Sequence, residues 1–149
     1  MNEQTLLTYM GALTLYENNM RILHWKLRGK GFHTDHERYG DYYEELGKYM
    51  DETAEQLISV GLHPLSTMES IDQMHNASLE AFTFSGSMDF DGETADKASY
   101  SMMKQLYDLA SELAGDQSLP IDVQDVFMGH AKYFRIEGIY KLGRRIKED

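Results

Sequence analysis

Cysteine is missing from the 149 residues, so no disulfide, thiolate nucleophile or cysteine-ligated zinc site can be built. Proline is nearly missing: Pro64 and Pro120 are the only two, which leaves long stretches free to run as uninterrupted helix. No stretch approaches about 18 uninterrupted apolar residues, and no basic start is followed by an apolar run, so neither membrane span nor secretory signal is expected. The cytoplasm is the expected location. Positive charge is scarce, with 14 Lys and Arg against 25 Asp and Glu, a formal net of -11. A surface of that sign repels phosphate backbones and attracts cations, so DNA is not an expected partner. The small basic end formed by Lys141, Arg144, Arg145 and Lys147 is accounted for by the negative C-terminus of a helix.

What is present reads as helix. A hydrophobic content of 42% with 26% charged residues suits one globular domain spanning 1–149. Leu6, Met10, Leu13, Met20 and Leu27 form the apolar stripe of a first helix over about 3–28, ended by Gly29 and Gly31. Leu15, Ile22 and Trp25 lie off that stripe, and a second apolar strip suggests a subunit contact. Thr34 and Glu37 have capping-box spacing, which places the start of a second helix near residue 35. Its inner face is read as Tyr39, Tyr42, Tyr43, Leu46, Met50, Ala54 and Leu57, with Gly61 and Pro64 closing it. A long connection follows, carrying a short helical piece around Glu69 to Phe82.

Ala95, Ala98, Met102, Leu106, Leu109 and Leu113 make a third stripe that Gly115 ends. Ser118 and Pro120 suggest the cap and first turn of a fourth helix, whose inner face is Val123, Phe127, Phe134 and Leu142. No β-type alternation is sustained. The expected fold is all-α: a ferritin-like four-helix bundle with a long crossover, containing a short helix, between helices two and three.

Against that scaffold stand His24, Trp25, His36, Asp51 and Glu55. Two imidazoles and two carboxylates without a thiolate suit a borderline-hard metal such as Fe(II). Asp51 and Glu55 are one helical turn apart and can grip one ion, yet they point away from Leu46, Met50 and Leu57 and so away from their own core. An outward acidic pair is also an ordinary solvated surface, and His24 alone could be a core or edge histidine. His36, in the first turn of a helix, is favoured as the neutral imidazole that ligates metal. No glutamate is followed three places later by histidine, so the paired Glu-x-x-His motifs of a di-iron site inside one bundle are missing. His63, His75 and His130 have no spaced partner and read as packing or surface residues.

At His24-Trp25, His36, Asp51 and Glu55 the chain resembles the Dps family of ferritin-like mini-ferritins. The resemblance implies a homo-oligomer, a dodecamer, with sites shared across twofold interfaces: His24 and His36 from one subunit, Asp51 and Glu55 from its neighbour. It implies iron as the metal, two ions per site, with Fe(II) oxidised by hydrogen peroxide or dioxygen and stored as ferric mineral. Trp25 would stand beside the metal as an electron donor, and Asp122 and Asp125 could line an entry pore, although first-turn carboxylates also simply complement a helix dipole. One position departs from the pattern. The family commonly has an aspartate four residues after the second histidine, and here Gly40 stands there, with Asp41 rotated about 100° around the helix. That puts the second iron position in question and leaves a Dps-like shell or metal-binding scaffold with an impaired site as the alternative. His33 and Asp35 read as loop residues that could supply a ligand.

Overall fold

The computed structural model describes residues 3–76 and 84–146. Helix α1 (Glu3–Lys26) runs antiparallel to α2 (Phe32–Ser59), and a short α3 (Thr67–Asn76) lies in the crossover. Helix α4 (Gly92–Ala114) then pairs with a long C-terminal helix. That last helix begins as α5 (Ile121–Tyr133), widens to π-type turns over Phe134–Leu142, and finishes as α6 (Gly143–Arg145). The expected four-helix bundle with a helix in its long crossover is therefore present. Among the described residues no strand forms beyond one bridge, Leu27 to Phe90, and no helix is long and apolar enough to cross a membrane.

The core forms where the stripes meet. Leu6, Leu13, Met20 and Leu23 of α1, Tyr39, Leu46 and Leu57 of α2, Met102, Leu106 and Leu113 of α4, and Phe127, Phe134 and Leu142 are all fully buried. Each such side chain contributes roughly 1.5–3 kcal/mol by leaving water. Helix α1 is the central member, packed by α2, α3 and α4. Leu15 and Ile22 are consequently buried within the single chain, and of that second strip only Trp25 stays exposed.

Three boundaries differ from the sequence expectation. Helix α2 starts at Phe32 because Gly31 takes a left-handed conformation (φ 79°) at its N-cap, so Thr34 and Glu37 fall inside the helix and no capping box forms there. The same pattern does form at Ser66 and Glu69, where each backbone N–H donates to the other residue's side chain at 2.9 and 3.2 Å. Helix α4 starts at Gly92, earlier than Ala95, because the Asp91 carboxylate accepts from the Thr94 N–H at 2.7 Å. Pro120 occupies the cap itself, one place before the first turn, while Ser118 bonds to Asp116.

On α2 the buried row is Tyr39, Tyr42, Leu46, Tyr49, Thr53 and Leu57, whereas Tyr43, Met50 and Ala54 are only half-buried. Its end is as expected: Gly61 (φ 87°) lets the Leu62 and Gly61 N–H groups reach back to Leu57 and Ile58. The expected crossover helix is present as Thr67–Asn76, and the remainder of the stretch expected to reach Phe82 falls in 77–83, outside the described residues.

Candidate metal centre

The turn between α1 and α2 is tight, with Gly29 (φ 93°) and Gly31 both left-handed, and it folds the end of α1 onto the start of α2. His24 and His36 meet there. Nδ1 of His24 donates to the His36 carbonyl at 2.6 Å, and Nδ1 of His36 donates to the His24 carbonyl at 2.8 Å. A carbonyl only accepts, so both Nδ1 atoms carry a proton, and Nε2 is the nitrogen each ring has left for a metal. The rings stack with centroids 3.8 Å apart and planes 15° apart. Phe32 stacks on the other face of His36, and Tyr43 meets His24 edge-on. The Arg21 guanidinium covers the Tyr43 ring at 4.4 Å and pairs with Glu17. This is the support that a pair of imidazole ligands needs: fixed tautomer, fixed orientation and open nitrogens.

Gly40 shapes the same spot. A Cβ there would stand 3.2 Å from His24 Cε1 and 3.3 Å from His24 Nδ1, so the missing side chain is what lets the His24 ring lie against α2. A mid-helix glycine costs about 1 kcal/mol relative to alanine, which is the sequence signal for a close approach of this kind.

The remaining expected residues are placed differently. Asp51 and Glu55 are exposed on α2, and Asp51 lies about 22 Å along the helix axis from His36. Within one chain the histidines and carboxylates are not brought together, and among the described residues no cluster of three or more metal-ligating side chains forms. Trp25 is 61% exposed beside His24. Asp41 and His33 are exposed.

Asp35 is no loop residue. It is buried in the first turn of α2 and pairs with Arg38 (2.7 Å) and Arg145 (3.2 Å), which also hold buried Asp96 at 3.0 Å each. These four side chains tie the starts of α2 and α4 to the C-terminal helix, and Asp35 is committed to that structural task. Of the packing and surface alternatives for His130, the structure takes packing. His130 is fully buried, with Nε2 2.9 Å from Glu52 and Nδ1 2.8 Å from the Tyr9 hydroxyl. Its partners lie 78 and 121 residues away, so no local spacing could have marked it.

Known proteins resemble this chain in sequence and fold. A DNA protection during starvation protein of Listeria innocua is 40% identical over 68 residues, a match covering 46% of this chain and 42% of that protein. General stress protein 20U of Bacillus subtilis is 29% identical over 106 residues, covering 71% of this chain and 67% of that one. The sequence relatives are named for DNA protection during starvation or general stress, and solved Dps structures share the fold. Dps from Listeria innocua superposes with a TM-score of 0.76 at 24% identity, covering 95% and 94% of the two chains. Antigen TpF1 from Treponema pallidum gives 0.84 at 18% identity, over 97% and 90%. Dps from Vibrio cholerae, described as one of a broad superfamily of ferritin-like diiron-carboxylate proteins, gives 0.80 at 19% identity. These likenesses establish the ferritin-like fold of the bundle. The sequence match to the Listeria Dps spans about two fifths of that relative's length, and no family model matches the chain.

Proposed function

We propose that the chain is an iron-oxidising, iron-storing mini-ferritin: it oxidises Fe(II), with hydrogen peroxide in preference to dioxygen, at sites completed by a second copy of itself. The carrying observation is the stacked His24–His36 pair, in which both Nδ1 atoms are tethered to backbone carbonyls and each ring has Nε2 left for a metal. Iron is the substrate here, and it needs oxygen ligands that one chain does not bring to this pair.

Helix α2 carries a strip that can supply them. At about 100° per residue, His36, Gly40, Asp51 and Glu55 fall within roughly 100° of one another on its outward side. The numbering is symmetric: His36 with Glu55, and Gly40 with Asp51, are both centred between Glu45 and Leu46. Two antiparallel copies of α2 related by a twofold axis near that point would set the carboxylates of each beside the imidazoles of the other. Asp51 and Glu55 then become ligands, which explains why a pair so spaced points away from its own core. Anionic oxygen donors stabilise Fe(III) over Fe(II) and favour oxidation. Two Fe(II) reduce one hydrogen peroxide to water without releasing hydroxyl radical, and Trp25, exposed beside His24, would supply an electron when only one iron is present.

A dodecameric shell in the cytoplasm, filled with ferric mineral through acidic pores lined by Asp122 and Asp125, completes the reading. Both are exposed at the start of α5. DNA is not a partner in it: the net charge is -11, and Arg145 of the basic end is engaged by Asp35 and Asp96. Gly40 favours a second reading, a shell or metal-binding scaffold whose site lacks one carboxylate and does not turn over.

The test is anaerobic addition of Fe(II) to metal-free protein followed by hydrogen peroxide, with ferric absorbance and particle mass recorded together. Rapid oxidation in a large particle, lost in an Asp51→Ala/Glu55→Ala double variant, is the expected outcome. A large particle oxidising no faster than the variant gives the scaffold reading, and a monomer overturns both.

A further inference from the structure

The bundle interior holds a hydrogen-bonded chain that ligand placement leaves unused. A carboxylate can only accept, so the 2.9 Å contact with Glu52 fixes the proton of His130 on Nε2. Nδ1 is then bare and accepts the Tyr9 O–H at 2.8 Å. The order is phenol to imidazole to carboxylate. Tyr9 is completely buried and His130 nearly so, while Glu52 reaches partial exposure.

Burial also dictates what this phenol can do. Its pKa lies well above the ordinary value, chiefly because the phenolate would be desolvated, with the charges of Tyr49 and Glu52 adding to that. The His130 pKa is lowered, again first by burial, so a neutral imidazole faces the hydroxyl. Removing an electron from a phenol makes its proton strongly acidic, and in a core that proton can leave only to a base already in contact. Tyr9 has that base, and the imidazolium it would form is neutralised by Glu52.

Fully buried Tyr39 lacks the combination. Tyr39 donates to Asp96 at 2.9 Å, but two arginines already hold that carboxylate, and the Arg38 guanidinium sits 5.0 Å from the Tyr39 ring, where a positive hole is repelled.

A path for the electron exists as well. The His130 ring lies 5.9 Å from Tyr9 and stacks on Tyr49 at 3.8 Å, and Tyr49 meets half-buried Tyr133 at 5.6 Å. These rings lead from the core to the surface between α2 and α5.

We propose that Tyr9 is a redox-active tyrosine that quenches one-electron oxidants, holding the hole as a neutral tyrosyl radical while its proton rests on His130 Nδ1. Its source of oxidant rests on the iron reading above: a lone Fe(II) meeting hydrogen peroxide gives Fe(III), hydroxide and hydroxyl radical. The electron from Tyr9 passes along the rings to the hydroxyl radical, which becomes water with one proton from solvent, and the phenolic proton moves to His130. A later Fe(II) returns the electron, the proton moves back to the phenolate oxygen, and a second Fe(III) results. The sum is two Fe(II), one hydrogen peroxide and one proton giving two Fe(III), one hydroxide and one water, so iron ions that arrive singly still reach the two-electron outcome.

The experiment separates this site from the iron site. Metal-free protein is flash-oxidised with a photoexcited ruthenium polypyridyl complex and persulfate, and the radical is followed by transient absorption and electron paramagnetic resonance. A long-lived neutral tyrosyl radical is expected in the unaltered protein and lost in Tyr9→Phe, with particle mass and circular dichroism confirming that the variant is folded. Histidine labelled with a magnetic nitrogen isotope gives a test needing no variant: the radical should show hyperfine coupling to an imidazole nitrogen. An unchanged long-lived signal in Tyr9→Phe, or a radical without that coupling, overturns the proposal. Fe(II) and peroxide are then added to the same samples. A radical that meets both criteria in protein that oxidises no iron leaves Tyr9 in place and sinks the iron reading, whereas iron oxidation without such a radical does the reverse.

Discussion

His24 and His36 hold one another by reciprocal bonds, each Nδ1 donating to the other's backbone carbonyl across the α1–α2 turn. The neighbour that permits this is Gly40, and it yields the first prediction. Gly40→Ala gains about 1 kcal/mol of helix propensity but places a methyl group 3.2 Å from the His24 ring, which must tilt. Chemical denaturation should therefore change by no more than about 1 kcal/mol, while Fe(II) affinity by calorimetry falls. Gly40→Asp, which adds a carboxylate at this spot, should fall too, because its Cβ meets the same ring. A gain of affinity in Gly40→Asp would show that His24 adapts freely and that the glycine is a plain loss.

A second glycine is required by packing. A Cβ on Gly138 would overlap Met103 Cβ and stand 3.0 Å from its Cγ, with both residues buried between α4 and the C-terminal helix. Gly138→Ala should cost about 1–3 kcal/mol through overpacking. The double variant with Met103→Gly, which removes the Cβ that is struck, should recover part of that loss, and a thermal-melting cycle over the four proteins measures it.

The four-residue ion network makes an ordered prediction. Arg38 is mostly buried and touches both Asp35 and Asp96, whereas Arg145 reaches the same two carboxylates from a half-exposed position. Arg38→Met leaves two buried carboxylates with Arg145 as their one remaining cation in the network and should cost about 3–5 kcal/mol. Arg145→Met should cost clearly less, since water can replace it. Urea midpoints that rank the two variants the other way would place the anchor at the C-terminus.

Acid should weaken the fold through His130. Its folded pKa is depressed by burial, against the opposing pull of Glu52 and Glu45, with Lys48 adding slightly to the depression. The unfolded chain binds a proton near pH 6.5, whereas the folded one does so only lower. The stabilisation is thus complete above the unfolded value, is lost as pH falls from there toward the folded pKa, and levels off below it. The slope from this one group is at most about 1.4 kcal/mol per pH unit. Denaturation between neutral and mildly acidic pH should show it, and His130→Gln should flatten it.

The helices could be read from the sequence because their core contacts repeat every turn: Leu13, Leu46, Leu106 and Phe127 of the four stripes are fully buried, while Tyr43, Met50, Ala54, Ala98 and Leu109 at the stripe edges are half-buried. Local chemistry was less decisive. Thr34/Glu37 and Ser66/Glu69 have the same spacing, and only the second pair caps a helix, because the left-handed Gly31 starts α2 early. The candidate ligands were visible as types and intervals, while the reciprocal histidine bonds depend on a turn whose geometry no interval encodes. Tyr9, Glu52 and His130 belong to three different helices and show no periodic signature at all.

The π-type stretch Phe134–Leu142 has a consequence for chain length in this part of the protein. Wider turns take up residues that a regular helix would have spent on rotation, so the register of everything after Leu142 depends on how many residues the stretch holds. Deleting one of them would let the helix tighten and swing Arg145 by roughly 100° around its axis, away from Asp35 and Asp96. Point substitutions should therefore be tolerated at the exposed positions Arg135 and Tyr140, whereas a single-codon deletion among the same residues should detach the end of the chain from the rest of the molecule.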